Sequence, residues 1–254
     1  MNPVVKTSCL MGLFLLAGCE TEPKSSSVEF MLAYNGKPMT CEQTFEKEGL
    51  EWQLRAFQFY LSEVEIDGQA ATLKNKSGEA SPVAMLGTRC SGEGRWQFDM
   101  EPMTVSDSSS FSFMLGVPFE VNHQNPLQAS EPLNHSDMFW TWQIGHKFVR
   151  MDIRSQTEEK SKSWAFHLGS IGCDSASSVR APTEACAHPN TFTVTLDDFQ
   201  SDRPVYFHVD RLIANSKIIE DGNCMGDPDD ASCKPLIQVL SEEQSKSHVF
   251  SQTL

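Results

Sequence analysis

Five of the seven histidines, His123, His135, His146, His167 and His188, lie between positions 123 and 188, and the stretch FWTWQIGHKFVRMD (139–152) among them carries Trp140 and Trp142. Imidazole is a versatile metal ligand in the cell envelope and suits copper and zinc alike. His167 belongs to SWAFHLGS. Alternation there places Trp164, Phe166 and Leu168 on one face of a strand and turns His167 to the other, beside Ala165 and Gly169, whose small size leaves room for an imidazole. Any one of these histidines reads as a surface or structural residue. Their grouping beside two tryptophans makes the case for a site.

Other chemistries lack their motifs. The chain has no G-x-S-x-G elbow, no G-x-G-x-x-G, no Walker A, no H-E-x-x-H and no C-x-x-C-H. Serine hydrolysis of the elbow type, nucleotide binding, zincin proteolysis and covalent haem are therefore unsupported. DGNCMGDPDDASC, from Asp221, is rich in carboxylates but misses the EF-hand register, and it reads as a solvated disulfide loop.

The elements that must position such a site begin after a leader. MNPVVKTSCLMGLFLLAGCE joins a Lys6-bearing start to an apolar run and then to Leu16-Ala17-Gly18-Cys19, the pattern of a lipobox. The expectation is a signal peptide over 1–18, lipid on the sulfur of Cys19, a polar flexible tether over 19–28 and a folded domain over 29–254. Such a chain is anchored to a bacterial envelope membrane, at its periplasmic or outer-membrane face, and does not span it. No other apolar run approaches the roughly 20 residues that spanning requires. The formal net charge is −14, which opposes nucleic acid and anionic lipid and favours cations or a basic partner.

Setting aside Cys9 and Cys19, six cysteines remain: Cys41, Cys90, Cys173, Cys186, Cys224 and Cys233. An even number outside the cytosol points to disulfides, with the pairing open among the fifteen that six cysteines allow. Cys173 with Cys186 and Cys224 with Cys233 would each close a short loop, leaving Cys41 with Cys90. No C-x-x-C or zinc-finger spacing occurs, so the cysteines read as staples and not as thiolate ligands.

Period-two alternation marks strands with one buried face. Phe57, Phe59 and Leu61 share one side of their strand, as do Phe192, Val194 and Leu196, and Val205, Phe207 and Val209. Further strands are expected at 28–34, 111–115, 146–153 and 164–168, with turns at Asn35-Gly36, Asp67-Gly68, Lys76-Ser77-Gly78 and Asp221-Gly222. Long helical periodicity and internal repeats are not evident. The fold class is all-β, a single antiparallel sandwich or barrel-like domain. Two long polar loops, 118–138 and 169–190, interrupt it, and loops of that length are usually functional or disordered.

Five collinear blocks, GVPFEVNHQNP (116–126), EPLNHSDMFWTWQIGHKFVRMD (131–152), FHLGSIGC (166–173), CAHPN (186–190) and DGNCM (221–225), resemble the signature of the MbnP-like family of metallo-mystery pair four-Cys proteins. The resemblance spans about 28–235. It implies a β-rich, non-enzymatic periplasmic or surface protein that binds copper, genetically paired with a di-haem enzyme of the cytochrome c peroxidase and MauG type. In such pairs the partner oxidises a tryptophan to kynurenine beside a mononuclear copper held by histidines. Carried over by position, His123 and His167 match histidines of the pattern and are the first copper candidates, and Trp140 and Trp142 match its W-x-W. His146 stands where the family usually has tyrosine and His135 at a variable position, so each is either an added ligand or a bystander. Asp152 and Asp137 are candidates to orient ligand imidazoles. The competing readings are a structural or adhesive envelope lipoprotein without metal, and an enzyme with an open copper position.

Overall fold

The computed structural model describes residues 26–103, 105, 109–156, 161–242 and 249–254. The expected signal peptide, Cys19 and most of the expected tether lie outside them. Two open sheets face each other around one core. The arrangement is a sandwich and not a closed barrel, because each strand order has two ends.

The larger sheet is organised by the strand Leu50–Ile66. It is buried on both sides over residues 56–62, more than the one-sided alternation predicted, because partners cover both its edges and its faces. Val149–Gln156 pairs antiparallel with its first half and Ser109–Leu115 with its second, while Ser161–Leu168 and Phe192–Phe199 extend the sheet outward. The smaller sheet is built on Ser26–Tyr34, which runs antiparallel to Gln97–Met100 and parallel to Val205–His208. This parallel pair departs from the antiparallel expectation. After Phe192–Phe199 the chain crosses from one sheet to the other and so arrives alongside Ser26–Tyr34 in the same direction.

Phenylalanines fill the space between the sheets. Phe30, Phe57, Phe59, Phe113, Phe207 and Phe250 are fully or almost fully buried and meet largely edge to face, as in Phe57–Phe207 at 4.6 Å and Phe207–Phe250 at 4.9 Å between ring centroids. Each such pair contributes about 0.5–1.5 kcal/mol beyond its buried area. Val209 is not a strand residue as alternation implied; it opens the helical turn Val209–Leu212. A short helix at Lys234–Ser241 also went unpredicted, its Pro235 tolerated in the first turn, where no intrahelical N–H is needed.

Three disulfides pair Cys41 with Cys90, Cys173 with Cys186 and Cys224 with Cys233. In the chain-entropy account, closing a loop of about 15 residues contributes roughly 3 kcal/mol, and the second and third bridges span separations of 13 and 9. The third also braces the sheet edge: His167 N donates to Cys224 O and Cys224 N to Ala165 O, both at 2.9 Å. No helix of the described residues is long and apolar enough to cross a membrane.

Residues 116–148 leave the larger sheet and return to it at a single residue. Gly116 N donates to Tyr60 O at 3.0 Å, and Tyr60 N donates to Phe148 O at 2.8 Å. The Tyr60 hydroxyl reaches up to donate to Pro132 O at 3.0 Å. The excursion is thus closed at its base and pinned at its middle, which holds Trp140 over the sheet edge where His167 sits. The strand expected over 146–153 is split as a result: Gly145–His146 belongs to the excursion and Val149–Gln156 to the sheet.

Candidate metal centre at the tryptophan strand

Within the excursion, Phe139–Thr141 forms a small hairpin with Gly145–His146, pairing Phe139 with His146 and Thr141 with Gly145. The hairpin is seated on Asn122, whose buried side-chain oxygen accepts from His146 N at 2.8 Å. Gly145 has φ +84°, and a Cβ there would lie 2.6 Å from Asn122 Oδ1. Only glycine satisfies both demands.

His123 follows Asn122 and is buried against Phe119, ring centroids 5.2 Å apart. Its Nδ1 donates to the carbonyl of Trp142 at 3.2 Å. Burial pushes its pKa down against the pull of that carbonyl, and neighbouring His146 lowers it further. The imidazole is therefore neutral at pH 7, with its lone pair on Nε2. Next to that nitrogen lie Asn122 Nδ2 at 3.3 Å and Cys186 Sγ at 3.9 Å.

His167 faces away from the core as alternation predicted, and Trp140 lies against it, ring centroids 6.3 Å apart. Gly169 makes this approach possible, since a Cβ there would come within 2.6 Å of Trp140 Cζ3. His167 Nε2 donates to Asp152 Oδ1 at 2.7 Å, which leaves Nδ1 as the nitrogen turned away from the carboxylate. Asp152 Oδ2 accepts from Arg150 Nε at 2.7 Å, and Arg150 in turn reaches Asp137 Oδ2 at 3.0 Å. Burial raises the pKa of Asp152, but the hydrogen bond from His167 and the charge of Arg150 outweigh it and hold the carboxyl below its ordinary range. A carboxylate on the far nitrogen is the arrangement that orients a metal-ligating histidine.

The other two histidine candidates are placed differently. His146 is fully buried, with Nδ1 2.6 Å from Asn122 O and Nε2 3.0 Å from Leu133 O. Both nitrogens face carbonyls, so neither is offered to a metal, and the ring fills the place between Tyr60 and Phe139. Burial pushes its pKa down despite the two carbonyls. His135 is half-buried at the start of the turn Ser136–Met138, where its carbonyl accepts from Met138 N. His188, in the second long loop, pairs its backbone with Ile171.

Among the described residues, His123, Cys173 and Cys186 form the group of three potential metal ligands whose donor atoms lie within 4.8 Å of one another. The two sulfurs are joined as a disulfide, so in this state they are not thiolate donors. Sequence reasoning missed this neighbourhood: positions 123 and 186 stand far apart, and only the second long loop hinted that its cysteines belonged near the site. His123 also lines an open cleft of about 490 Å³ walled by Trp142, Gln128 and Arg180. Trp142 is 37% exposed there, whereas Trp140 is half-buried.

No curated protein matches the sequence. MbnP from Methylosinus trichosporium shares the fold at 23% sequence identity, with a TM-score of 0.71 over 85% of this chain and 88% of that one. The family profile MbnP matches residues 23–226, and the chain belongs to that family.

Proposed function

We propose that this protein is an extracytoplasmic copper-binding protein, lipid-anchored at Cys19, in which His123 and His167 serve a copper site completed by oxidation of Trp140 or Trp142 to kynurenine by a di-haem partner of the MauG type. One observation carries the reading: the W-x-W segment is clasped between the two histidines. The Trp142 carbonyl holds His123 through Nδ1, and the Trp140 ring lies against His167. His123 Nδ1 and His167 Nε2 each donate to an oxygen, and His123 Nε2 accepts from Asn122 Nδ2 at 3.3 Å, a bond that copper would have to displace.

The residues present fit copper. Imidazole nitrogens suit it, and copper stands highest among divalent first-row metals for nitrogen and oxygen donors. Kynurenine replaces the indole by a carbonyl and an aromatic amine, donor atoms the encoded tryptophan lacks. Copper affinity would then follow modification. The three disulfides and the family support a location outside the cytosol. The protein's role in this reading is to bind and not to catalyse.

The test is copper content per chain after dialysis, for protein produced with and without the di-haem partner. The reading predicts one copper per chain with the partner, lost in His123→Ala and His167→Ala. Equal, negligible copper in both preparations would contradict it and leave an envelope lipoprotein without metal.

A further inference from the structure

The disulfide Cys173–Cys186 lies beside His123, and hydrogen bonds independent of the S–S bond flank both cysteines. Ile171 and His188 exchange backbone hydrogen bonds at 3.0 and 3.1 Å, and Ala187 N donates to Gly172 O at 3.0 Å. Gln143 Nε2 donates to Cys173 O at 2.8 Å, tying the same cysteine to the tryptophan hairpin. Between the cysteines, residues 174–185 are exposed apart from half-buried Ser175 and buried Pro182, so opening this loop disturbs little of the core. His123 is held separately by Trp142, with Nε2 3.9 Å from Cys186 Sγ.

The donor atoms of His123, Cys173 and Cys186 lie within 4.8 Å of one another with the disulfide closed, so opening it would leave two thiols beside an imidazole nitrogen that Asn122 Nδ2 approaches at 3.3 Å. We propose that Cys173, Cys186 and His123 form a thiol-gated Cu(I) site, closed while the disulfide stands and opened by a dithiol reductant. A thiolate of the reductant attacks Cys186 Sγ, the S–S bond breaks and Cys173 leaves as thiolate. The second thiol of the reductant then resolves the mixed disulfide. Two electrons and two protons pass to the pair, and the reductant ends as its own disulfide. Cys186 lines a cleft of about 240 Å³ on one side, and His123 opens on the larger cleft on the other. Reductant and metal thus have separate approaches. Thiolates select Cu(I), and the bound metal displaces the thiol protons. The site needs neither kynurenine nor the di-haem partner and shares only His123 with the preceding reading.

The experiment uses protein produced without the partner, with unmodified tryptophans verified by mass, so that the kynurenine reading is not engaged. Cu(I) affinity is measured anaerobically against a chromophoric Cu(I) chelator across a series of dithiol redox buffers. Thiol alkylation with peptide mapping records which disulfide has opened, and circular dichroism follows the fold. Opening Cys173–Cys186 should raise affinity about 100-fold or more, with copper–sulfur scattering in X-ray absorption. Cys173→Ser/Cys186→Ser should lack the gain, and His123→Ala should lose about tenfold or more of it, at least what removing an outer-shell partner costs. The proposal fails if the double variant gains affinity like the parent, if His123→Ala keeps the full gain, or if opening this disulfide alone abolishes the β-sheet signal.

Discussion

His167 donates through Nε2 to Asp152 Oδ1 at 2.7 Å, and Asp152 is itself held through its other oxygen by Arg150. This chain of hydrogen bonds decides which nitrogen of His167 can meet a metal. Asp152→Asn, which keeps the shape and removes the charge, should weaken copper binding by about 10–100-fold, the usual cost of losing an outer-shell carboxylate. Chelator competition on partner-matured protein measures it. Unchanged affinity would show that His167 is oriented by packing on Trp140 alone.

The same carboxylate sets an acid limit on stability. Its pKa is lowered on folding, so the stability it contributes is present above the unfolded value near 3.9 and is lost as pH falls through the lower folded value. His123 and His146 act at higher pH. Burial lowers their pKa values, so the unfolded chain binds protons first, and stability declines as pH falls below about 6.5. Urea midpoints between pH 7 and 3 should show both declines. His146→Phe should flatten the first and Asp152→Asn the second.

His146→Ala should separate stability from metal binding. The substitution removes the ring N–H from a buried carbonyl and opens space beside Tyr60 and Phe139, and an unsatisfied buried polar group costs about 1–3 kcal/mol. Copper per folded chain should nonetheless stay at the parent value, unlike in His123→Ala. A loss of copper by folded His146→Ala would return this histidine to the ligand set.

Gly169→Ala tests the seating of Trp140. Its Cβ would fall 2.6 Å from Trp140 Cζ3 and 2.7 Å from His146 O, and because a backbone carbonyl yields little, the indole must move. Overpacking of this kind costs about 1–3 kcal/mol. The thermal midpoint should drop, and tryptophan fluorescence should shift red. A neutral result would mean that Trp140 is not packed against the strand that carries His167.

Much of this was legible where the signal is local. Period-two alternation located the main strands and turned His167 away from Trp164, Phe166 and Leu168, because the pleat depends only on neighbouring residues. The return of residues 116 and 148 to Tyr60 left no trace in spacing, since long-range backbone pairing carries no residue code. The two carbonyls that occupy His146 are likewise main-chain groups, invisible to residue type. The arrival of Cys186 at His123 depends on how a polar loop folds back, and periodicity says nothing about that. The parallel strand pair escaped notice because Val205–His208 looks the same in either direction.

The central claim is that the W-x-W segment is a substrate as well as a scaffold, and peptide mass spectrometry of residues 139–150 tests it most directly. In protein produced with the di-haem partner, Trp140 or Trp142 should carry the mass change of one carbon exchanged for one oxygen, and the same peptide made without the partner should not. Unmodified tryptophans in both preparations would contradict the account and return the two indoles to packing alone.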